Sequence, residues 1–148
     1  MKIVFAIIFL CLVNLIYAQE GNPVRWRIYG NKTGDSRYEL HFSAMIAPPW
    51  HIYAQQNNSN VAMPTAISFK ANPLAELIGK PKEIGDLKVD SVLGTEVRYY
   101  ENEVDFVQTV KLKSTGKTTI SGIISWMACT QQCLPEAEQH FSLTIGGD

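Results

Sequence analysis

The chain has 148 residues, 46% of them apolar, with 13 basic and 14 acidic side chains and a formal net charge of −1. That length gives one domain able to bury a real core. The balanced charge excludes the strongly basic surface that nucleic acid or an anionic membrane would require.

Residues 1–18 begin Met1-Lys2, continue through an apolar stretch from Ile3 to Ile16, and reach Tyr17-Ala18 ahead of Gln19-Glu20. A basic start, a short hydrophobic run and a small residue at the break predict a secretory signal peptide cut after Ala18. The run is too short for a membrane span, and no later stretch approaches one, so no membrane insertion of the mature chain is expected. Cys11 falls inside this segment, and no small residue precedes it as lipid attachment would need. The expected mature protein is a single exported domain, residues 19–148, in a compartment where disulfides persist. Without Lys2 it carries 12 basic and 14 acidic residues.

From there the chain reads as strands. Val24, Trp26 and Ile28 alternate with Arg25, Arg27 and Tyr29; Tyr38, Leu40, Phe42, Ala44 and Ile46 alternate with Arg37, Glu39, His41 and Ser43. Val104, Phe106, Val110 and Leu112 share one parity, interrupted by Gln108. Ile120, Gly122, Ile124 and Trp126 share another, and Phe141, Leu143 and Ile145 alternate with His140, Ser142 and Thr144. Period-two patterning puts one face of each strand on a core and one in water. Turn signals stand at Gly30-Asn31, Pro48-Pro49, residues 57–60, residues 79–81 and residues 114–116. Pro73 to Ile78 alone hints at a helical turn. Seven or more short strands with turn-rich joints predict an all-β sandwich. His41, on a polar parity, reads as a solvated surface residue, and Tyr99, Tyr100, Glu101 and Glu103 as a polar edge strand that could border a site.

Two cysteines carry the chemistry. Cys129 and Cys133 lie in Trp126-Met-Ala-Cys-Thr-Gln-Gln-Cys-Leu-Pro135, the connection between the last two expected strands, 118–127 and 138–145. Both fall within one short segment, so they cannot bridge two sheets through a core as in an antibody domain. In the chain-entropy model a bridge around so small a ring contributes roughly 2 kcal/mol, against nearly 5 for a hundred-residue loop. Such a bridge restrains little, which favours a pair that exists to open and close. Pro135 stiffens the exit and holds Leu134 extended. No Lys or Arg adjoins the pair, and Glu136 and Glu138 follow it, so the sequence predicts a modest nucleophile and not a strong oxidant. Two other readings remain open at this point. One is a secreted binding module whose disulfide is structural. The other is a Cu(I) site using both thiolates with His140, His51 or Met127, since soft sulfur ligands suit that ion.

Signal peptide, all-β domain and a late Cys-x-x-x-Cys-Leu-Pro before the last strand resemble the N-terminal periplasmic domain of the thiol:disulfide interchange protein DsbD. The resemblance runs from about Val24 to Ile145 and is concentrated in Trp126–Pro135. A second match is Pro49-Trp50-His51-Ile52-Tyr53, where Tyr53 falls at the family's active-site tyrosine; His51, between Trp50 and Tyr53, reads either as lining the active end or, more often for such a residue, as a packed loop histidine. A third is Asp90-Ser-Val-Leu-Gly94 at the place of the family's cap loop, with Val92 or Leu93 standing where the family has an aromatic. The resemblance implies an immunoglobulin-like domain that takes electrons from a membrane-embedded donor. It would pass them to oxidised thioredoxin-like periplasmic proteins with no cofactor. By position, Cys133 would form the mixed disulfide and Cys129 would resolve it. DsbD continues into a membrane domain and a thioredoxin-like domain, so a chain stopping at Asp148 is expected to act as a free-standing module.

Overall fold

The computed structural model describes residues 21–58 and 60–147, so the expected signal peptide and Cys11 lie outside the described residues. Among the described residues eleven strands form: β1 (Val24–Gly34), β2 (Arg37–Ile46), β3 (His51–Tyr53), β4 (Ala66–Phe69), β5 (Ala75–Gly85), β6 (Lys88–Val92), β7 (Thr95–Glu101), β8 (Glu103–Leu112), β9 (Thr118–Trp126), β10 (Ala128–Cys129) and β11 (Ala137–Ile145). Among the described residues no helix is long and apolar enough to cross a membrane.

The expected all-β sandwich is what forms. One sheet has the order β1-β2-β8-β5 and the facing sheet β11-β9-β4. The alternating residues of β2, β8, β9 and β11 supply the core between them, with Phe42 and Phe106 fully buried. Phe42 meets Phe141 edge-on at 4.8 Å and Phe69 at 5.9 Å, and Trp26 meets Trp126 at 5.3 Å. These rings lock the two sheets face to face, an arrangement favoured by aromatic quadrupoles. Gly122 keeps the buried parity of β9 because a side chain there would collide with the Ser68 carbonyl and the Phe141 ring.

A third sheet, ordered β10-β3-β7-β6, closes one end. It prolongs the first sheet strand by strand. The β2–β8 ladder ends at Met45↔Glu103 and resumes as β3–β7 at His51↔Glu101, and the Ile46 N–H donates to the Asn102 carbonyl at 2.7 Å across the joint. The bends fall at the cis Pro48-Pro49 bond and at Asn102, a non-glycine residue with φ 63°. β5 likewise runs on into β6 beyond Gly85. The position beside β3 that β1 would occupy is taken by β10, which continues β9 out of the opposite sheet. The cysteine segment is therefore where one sheet of the sandwich hands a strand to the other.

Several expectations change. Gly30-Asn31 lies inside β1, whose turn falls at Asp35-Ser36. A side chain at Gly30 would press on Ile145, Leu143 and Leu40, so this glycine serves packing. Pro73 to Ile78 forms a turn followed by the start of β5, because edge pairing with β8 overrides the local helical tendency. Gly79-Pro81 makes a bulge within β5, with Gly79 at φ 69°. That bulge explains Gln108: it is 1% exposed, and its Nε2 donates to the carbonyls of Ile78, Gly79 and Thr109. His41 is not simply solvated. Its Nδ1 lies 2.7 Å from Asp105 Oδ2, Ser43 donates to the other oxygen of that carboxylate, and Tyr29 stacks on its ring at 4.7 Å. β7 is not an edge strand, since β3 and β6 flank it.

Candidate functional site

Cys129 and Cys133 are disulfide-bonded, with Cα atoms 4.0 Å apart. The ring is shaped by backbone hydrogen bonds: the Thr130 N–H donates to the Gln132 carbonyl and the Leu134 N–H to the Ala128 carbonyl, both at 2.9 Å. Leu134 then packs on the core and Ala137 rejoins Trp126 on the first rung of β11. Trp126 is buried directly ahead of the pair, as its parity predicts.

The two sulfur-bearing residues differ sharply in access. Cys129 is 1% exposed, whereas Cys133 lies on the surface between exposed Gln132 and half-buried Leu134. Strand membership explains this: Cys129 is fixed in β10, and Cys133 sits in the loop beyond it. Thiol–disulfide exchange needs an attacking sulfur that a partner can reach. The geometry offers one such sulfur and keeps the other behind it.

The surroundings follow from register. Cys129 is opposite His51, and His51 is opposite Glu101; Tyr53 is opposite Tyr99, and Tyr99 opposite Lys88. Directly opposed residues share a face of the sheet, so these side chains line one side. Ala128, Ile52 and Tyr100 occupy the other side and are buried in the core. The His51 ring touches Tyr53 at 5.2 Å and Tyr99 at 4.8 Å. Burial draws the His51 pKa below its ordinary value, opposed by the nearby Glu101 carboxylate, and burial pushes the Tyr53 hydroxyl upward. Tyr100 is anchored from behind: its hydroxyl donates to Glu83 Oε2 at 2.6 Å, while Oε1 accepts the Gln55 N–H. Desolvation and this carboxylate together push the Tyr100 pKa well up.

The other residues singled out in the sequence lie farther off. Asp90 and Val92 belong to β6, and Leu93-Gly94 forms the tip of the β6–β7 hairpin, with both residues at positive φ. Val92 pairs Thr95, six residues along β7 from Glu101, the rung shared with the cysteine strand. Leu93 is 96% exposed. His140 is exposed on β11 opposite Ile123, three rungs from Trp126, and Met127 is half-buried between β9 and β10. Among the described residues no group of three or more His, Cys, Asp or Glu side chains is arranged to hold a metal ion. Lys88, beside Glu101 at 3.9 Å, went unnoticed in the sequence because only strand pairing brings it there.

The model of the family described as thiol:disulfide interchange protein DsbD, N-terminal, matches residues 26–145. The chain belongs to this family. Solved structures with the same fold include the N-terminal periplasmic domain of ScsB from Proteus mirabilis, with TM-score 0.57 and 16% identity over 86% of this chain. This DsbD N-terminal-family chain spans about half of that one, 48% of its length. The reduced DsbD N-terminal domain of Neisseria meningitidis aligns with TM-score 0.50 and 17% identity, covering 81% of this chain and 86% of that one. A complex between the DsbD and PilB N-terminal domains of N. meningitidis aligns at 0.52 with 13% identity, covering 87% of each chain. No curated protein matches the chain significantly. Family membership and the bonded cysteine pair together support thiol–disulfide exchange in general.

Proposed function

We propose that this domain is an exported, periplasmic electron relay that reduces thioredoxin-like proteins through the Cys129/Cys133 pair. The observation that carries the reading is the asymmetry of the couple, one sulfur-bearing residue on the surface and one behind it. In the reduced protein the Cys133 thiolate attacks the partner's disulfide, forming a mixed disulfide and releasing the partner's first thiolate. The Cys129 sulfur then attacks Cys133, closes the intramolecular bond and expels the partner's second thiolate. Two electrons pass to the partner, and a membrane-embedded donor restores the dithiol. His51 and Tyr53 line the pair. Asp90, Val92 and Leu93 belong to the β6–β7 hairpin, whose exposed tip is free to meet a partner. The neisserial DsbD domain forms a complex with a PilB domain, which supports an acceptor that is itself a protein.

Covalent trapping tests the reading and the division of roles. Cys129→Ala retains the attacking thiol and is expected to hold exported thioredoxin-like proteins as stable mixed disulfides. Cys133→Ala is expected to hold few or none. Equal yields from both variants would overturn the roles. If neither variant traps anything, and the wild-type pair stays closed across a glutathione redox titration, the disulfide is merely a staple.

A further inference from the structure

The first half of the exchange leaves a chemical problem. Resolution needs Cys129 as a thiolate, yet this residue is 1% exposed, and a thiol in a poorly solvated site holds its proton more tightly. Water has little access to remove that proton. The loop around the ring, Thr130 to Pro135, contains no ionisable side chain apart from Cys133 itself.

We propose that His51 accepts the proton of Cys129 and so sets the rate at which the mixed disulfide is resolved. The inference rests on the exchange reading above and concerns its second half only. His51 is the direct cross-strand partner of Cys129, which places their Cβ atoms about 5 Å apart on one face of the sheet. Once the disulfide opens, the imidazole belongs to the residue directly opposite the freed sulfur's strand position. Tyr53 and Tyr99, paired with each other on the next rung of the same face, both pack against that ring, at 5.2 and 4.8 Å.

The remaining groups on this face are poor substitutes. Tyr53 has its hydroxyl pushed up by burial and stays protonated. Glu101 lies one strand farther from Cys129 and has Lys88 Nζ at 3.9 Å. Lys88 also sits 3.4 Å from Asp86, and Tyr99 is the ring that packs on His51. Burial lowers the His51 pKa, which leaves the imidazole neutral and able to accept a proton near pH 7; Glu101 opposes this shift and would steady the imidazolium that forms. In the step itself, the Cys129 S–H proton moves to the imidazole and the sulfur bonds to Cys133 Sγ. The bond from Cys133 to the partner's sulfur breaks, and that sulfur departs as thiolate with the electron pair. The imidazolium then returns its proton to solvent or to the departing thiolate.

Ellman's reagent separates the two halves, because reduced protein releases one thionitrobenzoate on forming the mixed disulfide at Cys133 and a second when Cys129 closes the ring. In stopped flow with His51→Gln, the first release is expected to stay within about twofold of wild type. The second should slow by at least about tenfold at pH 7, at or below the lower end of what a positioned base supplies. The pH profile should change as well. The wild-type second phase rises and levels off in the imidazole range, whereas that of His51→Gln keeps rising into the thiol range above pH 8. Equal slowing of both phases, or an unchanged second phase and profile, would overturn the role of His51 and leave exchange intact. Should the variant fail to fold, the wild-type profile decides: an inflection in the thiol range overturns the inference, and one in the imidazole range supports it. A wild-type protein that never releases the second thionitrobenzoate would instead sink the exchange reading, and this inference with it.

Discussion

The sandwich body and the end sheet are made from the same strands and do opposite things with them. In the body, β2 and β8 bury alternate side chains completely, and aromatic rings from both sheets interlock around Phe42. Past the bends at Pro48-Pro49 and Asn102, the continuing strands are short, and β6 buries nothing fully. One face of the end sheet still rests on the core through Ile52, Tyr100 and Ala128. Its other face carries the cysteine pair, a histidine and two tyrosines. The lesson is a division of labour along each strand. The packed half fixes position, and the lightly packed half is free to present reactive groups to a partner and to open locally, as regions with few buried contacts do.

The contrast breaks most violently in the body. Phe42→Ala removes a fully buried ring that touches Phe69 and Phe141, and a loss of about 3–5 kcal/mol in urea unfolding of the oxidised protein is expected. A loss below about 1 kcal/mol would mean that the two sheets are not held by these rings. The joint between body and end sheet should be softer. Tyr100→Phe deletes the hydroxyl that donates to Glu83, and a hydrogen bond to a charged group stabilises by about 1.5–3 kcal/mol. The same variant should reduce Ellman's reagent at close to the wild-type rate, because Tyr100 faces away from the sulfurs. A large rate loss with little loss of stability would show that the end sheet is tied to the body less independently than its register implies.

The two regions were also unequally legible. Where a strand buries one whole face, alternation reveals it: β2 and β8 coincide with the runs 37–46 and 103–112 read from the sequence, and β9 and β11 lie within one residue of the expected 118–127 and 138–145. The end-sheet strands have no such pattern, since β3 has three residues, β10 two, and β6 leans on neighbours along its edge only. Their pairing is a matter of long-range register, which explains why Lys88 could not be placed beside the pair. The cysteine segment was legible for another reason: spacing and flanking residues are local. Gln108 looked like a fault in a core parity until the β5 bulge supplied carbonyls for it. His41 could not be recognised as a partner of Asp105, 64 residues away.

The smallest expected effect lies on the reactive face and follows from protonation. Burial holds the folded-state pKa of His51 below its ordinary value of 6.5. Between that lowered value and 6.5 the unfolded chain binds more protons at this site than the native one, so stability rises with pH there. The contribution is complete above about pH 6.5 and is lost as pH falls through the folded-state pKa. Urea unfolding of the oxidised protein at pH 7.5, 6.5 and 5.5 should therefore show a fall toward acid that is shallower in His51→Gln. The difference between the two proteins isolates His51 from His41, His140 and the carboxylates, which both retain. Parallel curves would mean that the imidazole is as well solvated in the native state as in the unfolded one. It would then stand in water beside the cysteine strand, and not packed against Tyr53 and Tyr99 on the reactive face.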